Sequence, residues 1–567
     1  MDKADHARQA ENAAIKPEKA AEALLSASHG CSEAFIHRLP DEILVEIFVF
    51  YGKARTSQGR APLWMRPEDN EDGLSYGPWG AGYLWIPLMR VCRFWRTLAL
   101  ATPRLWQVVD VWGSSTRWME LALVRSRSAP LQLFLHKLEG ARAAVPLILP
   151  HVHRLERLLL PPLDATIKGS YLRNSPDLSP FLPLVQTSMP TLVELRLSVE
   201  CFDHTGEMHH ATVDLSRTRY PALRVLRLAC VSVSWSMELL PRLTCLDLRA
   251  CIPDGPPLSR RQFLDVLEHC SALEELRLLD MFVSASLTRS AVETATANSE
   301  RVIHLPALRK VVVADLPSVT SWLFSCLNFR GEVSVTLIGW LSDDEVFDGL
   351  HSPFYSLIPH HHLLARFFPT TRPTRGKIDV WQDAAELKVS SDQGSELSLQ
   401  LLSSVPDPWD PHFAVGVLDF RRLFAGFPLE SLLISGDLDQ IADFRIWLRL
   451  LDLFPKLREL EVVGDGHVTA LFVALKHTLL PAGCPPEPPL CPELRSLRLE
   501  LADYAKGDIE LIVAMLHRRA FFQLAPMESM KLDLSIEDRE EFFGSEIQNY
   551  SGELRSLCPQ LSYVRYN

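Results

Sequence analysis

The feature that most constrains this chain is a phrase that keeps returning from about residue 150 onward, with leucines at relative positions 0, 3 and 5 and often a proline two residues ahead. It reads PTLVELRL at 190–197, PALRVLRL at 221–228, PRLTCLDL at 241–248 and PELRSLRL at 492–499. Looser copies are HRLERLLL (153–160), SALEELRL (271–278), PALRKVVV (306–313), PLESLLI (428–434), PKLRELEV (455–462), PMESMKLDL (526–534) and PQLSYV (559–564). With leucine at roughly one residue in six, about two or three bare triplets are expected by chance, but only about 0.2 with the proline in front. Seven such triplets occur in all, four of them led by proline, so the proline-led form is a repeat.

Positions 3 and 5 alternate as a strand requires and share a face, and position 0 enters that face from the preceding turn. Helical candidates lie between the rows: FLDVLEHC behind a capping box at Ser259 and Gln262, IADFRIWLRLLDLF (441–454) and IELIVAMLHRRAFF (509–522). A strand, a helix and a return strand form a parallel α/β unit that cannot bury its apolar face alone, so stacked units imply a solenoid. The residues resemble leucine-rich repeats. That resemblance implies an irregular solenoid with a parallel sheet on one face and helices on the other, because the Asn or Cys of relative position 8 appears once, as Cys251, and 314–427 keeps only weak copies such as EVSVTL (332–337).

Composition excludes several functions. Lys+Arg 58 against Asp+Glu 70 leaves a net charge of −12, which opposes nucleic acid as the main partner. The 11 cysteines form no CxxC pair, and no apolar run approaches the roughly 18 residues that span a bilayer, so an intracellular chain, cytoplasmic or nuclear, is expected. His360 to His362 and His209-His210 read as solvated loops, since adjacent histidines cannot all face one ion from a regular element. Cys484 and Cys491 read as thiols in a Pro-rich loop. Without a phosphate-binding, nucleophile-elbow or zincin motif, no catalytic residue, metal or cofactor is expected.

Ahead of the repeats the pattern changes. Residues 1–34 read as an Ala-rich tail, and 51–83, with its Gly, Pro and acidic run at 68–72, as an inserted loop. HRLPDEILVEIFVF (37–50) sets Ile43, Leu44, Ile47 and Phe48 on one helical stripe, with Pro40 and the Asp41-Glu42 pair suited to its first turn. IPLMRVCRFWRTLALATPRLW (86–106) repeats Leu88, Val91, Cys92, Trp95 and Leu98 or Ala99 at helical spacing. Residues 115–135 are expected to form a third helix, with Leu121 and Val124 inward, and then a strand alternating Leu131, Leu133 and Leu135.

LPDEILVEIF, then VCRFW, then TPRLW resembles the F-box, in the fungal type that continues into leucine-rich repeats; the departure is the insertion between Phe48 and Val91. The resemblance implies a small all-helical F-box at 35–110 and a substrate-binding repeat domain at 111–567. It also implies docking on a Skp-type adaptor and through it a cullin-RING complex, as a non-catalytic substrate receptor of a ubiquitin ligase. An adaptor-bound scaffold outside ubiquitin transfer is the other reading. Carried over, the adaptor-binding residues are Leu39, Pro40, Ile43, Leu44, Ile47, Phe48, Val91, Cys92, Trp95 and Trp106. Some of these must instead fill the module's own core, and Trp95 is expected to serve both. Recognition of the target is expected on the strand face, among residues such as Glu194, Arg196, Arg224, Arg227, Asp247, Arg249, Glu275 and Arg277, or on the loops beside it.

Overall fold

In the computed structural model the described residues are 39–57, 85–111, 116–135, 138–163, 181–199, 211–229, 231–234, 238–253, 260–281, 301–328, 332–341, 353–358, 363–364, 367–368, 372–381, 384–403, 412–476, 489–501, 504–505, 507–534 and 542–565. The expected tail, most of the inserted loop, Ser259, Cys484 and the two histidine groups lie outside them. The chain divides into two compact units, Met1–Glu156 and Arg157–Asn567.

The first unit holds α1 (Asp41–Ser57), α2 (Arg93–Ala101), β1 (Val108–Val111), α3 (Arg117–Arg125), β2 (Leu131–Leu135) and α4 (Leu138–Ile148). Within it, Trp118 of α3 packs on Trp106 with ring centroids 5.2 Å apart. β1 and β2 run parallel, and Leu131, Leu133 and Leu135 are buried as the alternation predicts. Two expectations fail here. α1 continues to Ser57, so the first residues of the expected loop are helical. In α3 it is Met119, Ala122 and Leu123 that turn inward, while Leu121 and Val124 are exposed. Both sets have helical spacing; the buried Arg154 ties down the end of α3 by donating to Leu123 O at 3.0 Å, Ser126 Oγ at 2.9 Å and Ala129 O at 2.9 Å.

The second unit is α/β with a large parallel sheet. Its strands are β3 (Leu155–Leu163, which begins at the boundary), β4 (Glu194–Val199), β5 (Val225–Ala229), β6 (Cys245–Arg249), β7 (Glu275–Leu279), β8 (Lys310–Asp315) and β9 (Ser334–Leu341). They continue as β10 (Arg375–Trp381), β11 (Ala384–Ser390), β12 (Glu396–Ser403), β13 (Ser431–Gly436), β14 (Glu459–Val463), β15 (Ser496–Glu500), β16 (Ser529–Leu534) and β17 (Gln560–Arg565). From β3 to β9 and from β13 to β17 each strand pairs in parallel with the next, and repeat leucines align across the ladder, as Leu195↔Leu226↔Leu246↔Leu276.

The turn before each strand explains the proline. The N–H of Leu192, Leu223, Leu243, Leu308, Leu457 and Leu494 donates to the carbonyl three residues back, at Met189, Tyr220, Leu240, Leu305, Phe454 and Cys491. Proline therefore occupies the second place of a hydrogen-bonded β-turn, where its fixed φ is already correct and its missing N–H costs nothing. The residue after the leucine then reaches back one repeat: Thr244 N donates to Arg224 O, Glu274 N to Thr244 O and Arg309 N to Glu274 O, each at 2.8 Å. At the far strand end, Ala250 and Asp280 adopt φ 45° and 53° and donate forward to Leu279 O and Ala314 O. The lone Cys251 donates through Sγ to Leu228 O, 3.4 Å away in the preceding repeat. Backbone bonds thus replace the missing side-chain ladder.

Between strands, helices appear where expected at Arg260–His269, Phe444–Leu451 and Asp508–Phe521; Asp443 caps the second by accepting from Arg445 N at 2.9 Å. Elsewhere a strand takes the helix's place: Ala211–Asp214, Val231–Ser234 and Ile252–Pro253 form a small second parallel sheet. The weak stretch 314–427 holds the larger departure. β12 pairs in parallel with β9, β11 runs antiparallel between β12 and β10, and β10 pairs in parallel with β13. This meander buries Ile378, Val380, Leu387, Val389, Leu397, Leu399 and Leu401, which alternate like any strand but carry no repeat triplet. Beyond it Gly464 is required by a close approach, since a Cβ there would lie 1.8 Å from the Gly436 carbonyl oxygen.

Candidate functional site: an exposed apolar surface on the helical segment

In α1 the carbonyl of Pro40 accepts from Ile43 N at 3.0 Å and Leu44 N at 3.1 Å, and Asp41 and Glu42 stand at the positive end of the helix dipole. The next segment is not one continuous helix. A 3-10 turn at Ile86–Arg90 is followed by Cys92 in extended conformation (φ −156°, ψ 171°), whose Sγ accepts from Trp95 N at 3.4 Å and so caps α2. A second 3-10 turn, Pro103–Trp106, closes the module.

Burial divides the ten expected residues. Leu44, Phe48, Trp95 and Trp106 are core: Phe48 and Trp95 rings lie 5.0 Å apart, Trp106 meets Trp85 at 5.1 Å, and the Trp106 indole N–H donates to Ala99 O at 2.9 Å. Trp95, expected to pack and to face a partner, keeps 6% of its surface and packs. Ile43 (47% exposed), Ile47 (37%) and Val91 (57%) face solvent, Pro40 is exposed, and Leu39 and Cys92 are half-buried. Val91 lies outside the helix, between the 3-10 turn and the extended Cys92.

Two exposed aromatics were not among the ten. Phe50, 71% exposed, stands three residues beyond Ile47 and continues the 43–47 column; Phe94, 43% exposed, follows the capping Cys92 by two. The i+7 spacing from Ile43 would have found the first; nothing in periodicity marks the second. An ion pair between Arg104 and Glu46, one residue from Ile47, ties the closing turn to α1.

The strand face expected to hold a target is charged and largely self-neutralised. Glu194 meets Arg157 at 3.0 Å and Arg227 at 3.8 Å, Arg227 also meets Asp247 at 3.7 Å, and Glu275 meets Arg277 at 2.7 Å and Lys310 at 3.9 Å. Burial pushes the Asp247 carboxyl up against the pull of Arg277, Arg227 and Arg196. Burial acts on Glu275 in the same sense, but the Arg277 hydrogen bond and the charges of Arg277, Arg227 and Lys310 bring it below the ordinary carboxylate value. Arg249 is half-buried near Asp280, and Arg224 is exposed in the turn before β5.

Among the described residues no group of three or more His, Cys, Asp or Glu is placed to hold a metal ion, and no helix is long and apolar enough to cross a membrane. No family model and no curated protein matches the chain. Among solved structures, an internalin from Listeria monocytogenes is similar at 14% identity over 55% of this chain and 74% of that one, with a TM-score of 0.19.

Proposed function

We propose that the chain is a non-catalytic substrate receptor of a Skp-cullin-F-box ubiquitin ligase. In this reading the helical segment 39–106 docks on a Skp-type adaptor and the repeat region holds the target protein. One observation carries it: the segment fills its own core with Leu44, Phe48, Trp95 and Trp106, yet leaves Ile43, Ile47, Phe50, Val91 and Phe94 substantially exposed. Burying such a side chain contributes about 1.5–3 kcal/mol, so a partner that covers several of them has enough apolar surface to anchor a helical contact. The order of LPDEILVEIF, VCRFW and TPRLW supplies the identity of that partner. Catalysis would then come from holding a target near a charged conjugating enzyme on the same assembly.

The test is co-purification of the full chain with the adaptor, repeated with Ile47→Ser plus Val91→Ser. Both positions are exposed, so the variant is expected to fold and to lose the adaptor. Retained binding in the variant, or none in the parent, removes the reading.

A further inference from the structure

The exposed apolar residues of the helical segment sit in an unusual electrostatic setting. Residues 86–106 carry Arg90, Arg93, Arg96 and Arg104 and no Asp or Glu, in a chain whose net charge is −12. Arg104 is paired with Glu46, and Arg96 Nε donates to Met89 O at 3.2 Å. Arg90 and Arg93 are exposed and, among the described residues, make no side-chain hydrogen bond or ion pair. They alternate along the chain with exposed Val91 and Phe94.

Arg93 is also at the wrong end of its helix. It is the first residue of α2, where the aligned peptide dipoles present positive charge, and no acidic residue stands in that first turn. The arginines of the strand face behave differently, since Arg157, Arg227 and Arg277 each have a carboxylate within 4 Å. Arg93 at the helix start and Arg90 just ahead of it, interleaved with exposed apolar side chains, leave a local positive potential that no carboxylate among the described residues pairs with.

We infer that the partner covering Val91 and Phe94 presents carboxylates to Arg90 and Arg93, so that the adaptor docks through an acidic protein surface beside its apolar groove. This rests on the proposed adaptor reading and adds its polarity. Charges at such a rim chiefly speed encounter and are screened by salt, while the apolar side chains set how long the complex lasts.

The experiment measures association and dissociation of the full chain with purified adaptor at low and high salt. Arg90→Glu plus Arg93→Glu is expected to slow association roughly tenfold at low salt, with the difference shrinking at high salt. Arg90→Lys plus Arg93→Lys keeps the parent rate. A second readout separates function from folding: Arg93→Glu alone places a negative charge at the positive end of α2, so its unfolding temperature stays level or rises while association falls. If the glutamate pair associates like the parent at both salts, while Ile47→Ser plus Val91→Ser abolishes binding, the polarity inference falls and the adaptor reading stands. If the parent never binds adaptor, both fall. Arginine-dependent binding to phosphatidylserine vesicles in place of the adaptor would overturn the acidic-protein assignment.

Discussion

The repeat leucines and the isoleucines of α1 are chemically near-equivalent and meet opposite fates. Leu192, Leu195 and Leu197, Leu243, Leu246 and Leu248, and Leu494, Leu497 and Leu499 are all buried, because each row is closed by the row beside it. In α1, columns one residue apart diverge: Leu44 and Phe48 go in, Ile43 and Ile47 stay out. These rows consume their leucine triplets in their own stacking. A module whose pattern exceeds what its core accepts keeps a surface for something else.

The comparison can be broken most forcefully from the repeat side. Leu246→Ala is expected to cost about 2–5 kcal/mol in chemical denaturation of the full chain, as a buried leucine truncation does. Leu44→Ala should cost a comparable amount, with the proposed adaptor binding lost only as far as folding is lost. A loss below about 1 kcal/mol at Leu246 would mean that the rows do not close on each other.

Next in size is the meander. Glu386 accepts from Lys377 Nζ at 2.9 Å, Ser398 Oγ at 2.7 Å and Gln400 Nε2 at 3.1 Å. Burial raises its carboxyl, but those bonds and the Lys377 charge hold it below the ordinary value. A carboxylate depressed on folding stabilises the fold above its unfolded pKa, and that contribution is lost as pH falls through the lower folded value. Glu386→Gln should therefore cost about 1–3 kcal/mol at neutral pH and progressively less below pH ~4.5, in melts across a pH series. A constant difference across the series would contradict this.

Smaller still is the turn. Pro221→Ala keeps the bond from Leu223 N to Tyr220 O but frees the unfolded chain, for an expected loss of about 0.4–1 kcal/mol. Smallest of all, Ile43→Ser should change stability by less than about 0.5 kcal/mol while weakening the proposed adaptor complex, which is the sharpest form of the contrast.

How much was legible follows the same physics. The strands of the repeats were readable because proline, turn and leucine row recur together, and the phase of each row is set by a fixed turn. Within 314–427 the reading faded because β10 to β12 run in alternating senses and need only alternation, as in Ile378 and Val380, with no turn of the repeat type. Inside the first unit the helices were readable and their phases were not. Leu121 and Val124 match helical spacing as well as Met119 and Ala122 do, so spacing alone does not choose between the two faces. The separation of Ile43 and Ile47 from Leu44 and Phe48 escaped periodicity for the same reason.

The antiparallel meander also has a bearing on how the long unit comes apart. Within β4–β9 and β13–β17 every pairing joins consecutive rows, so order can spread by local steps from whichever row forms first. The links from β9 to β12 and from β10 to β13 instead join segments more than 50 residues apart, with two strands folded between them. Such distant closures form slowly. The meander is thus a seam in cooperativity: fraying that starts at β17 can travel row by row to β13 and halt there, leaving the rows near β4 intact.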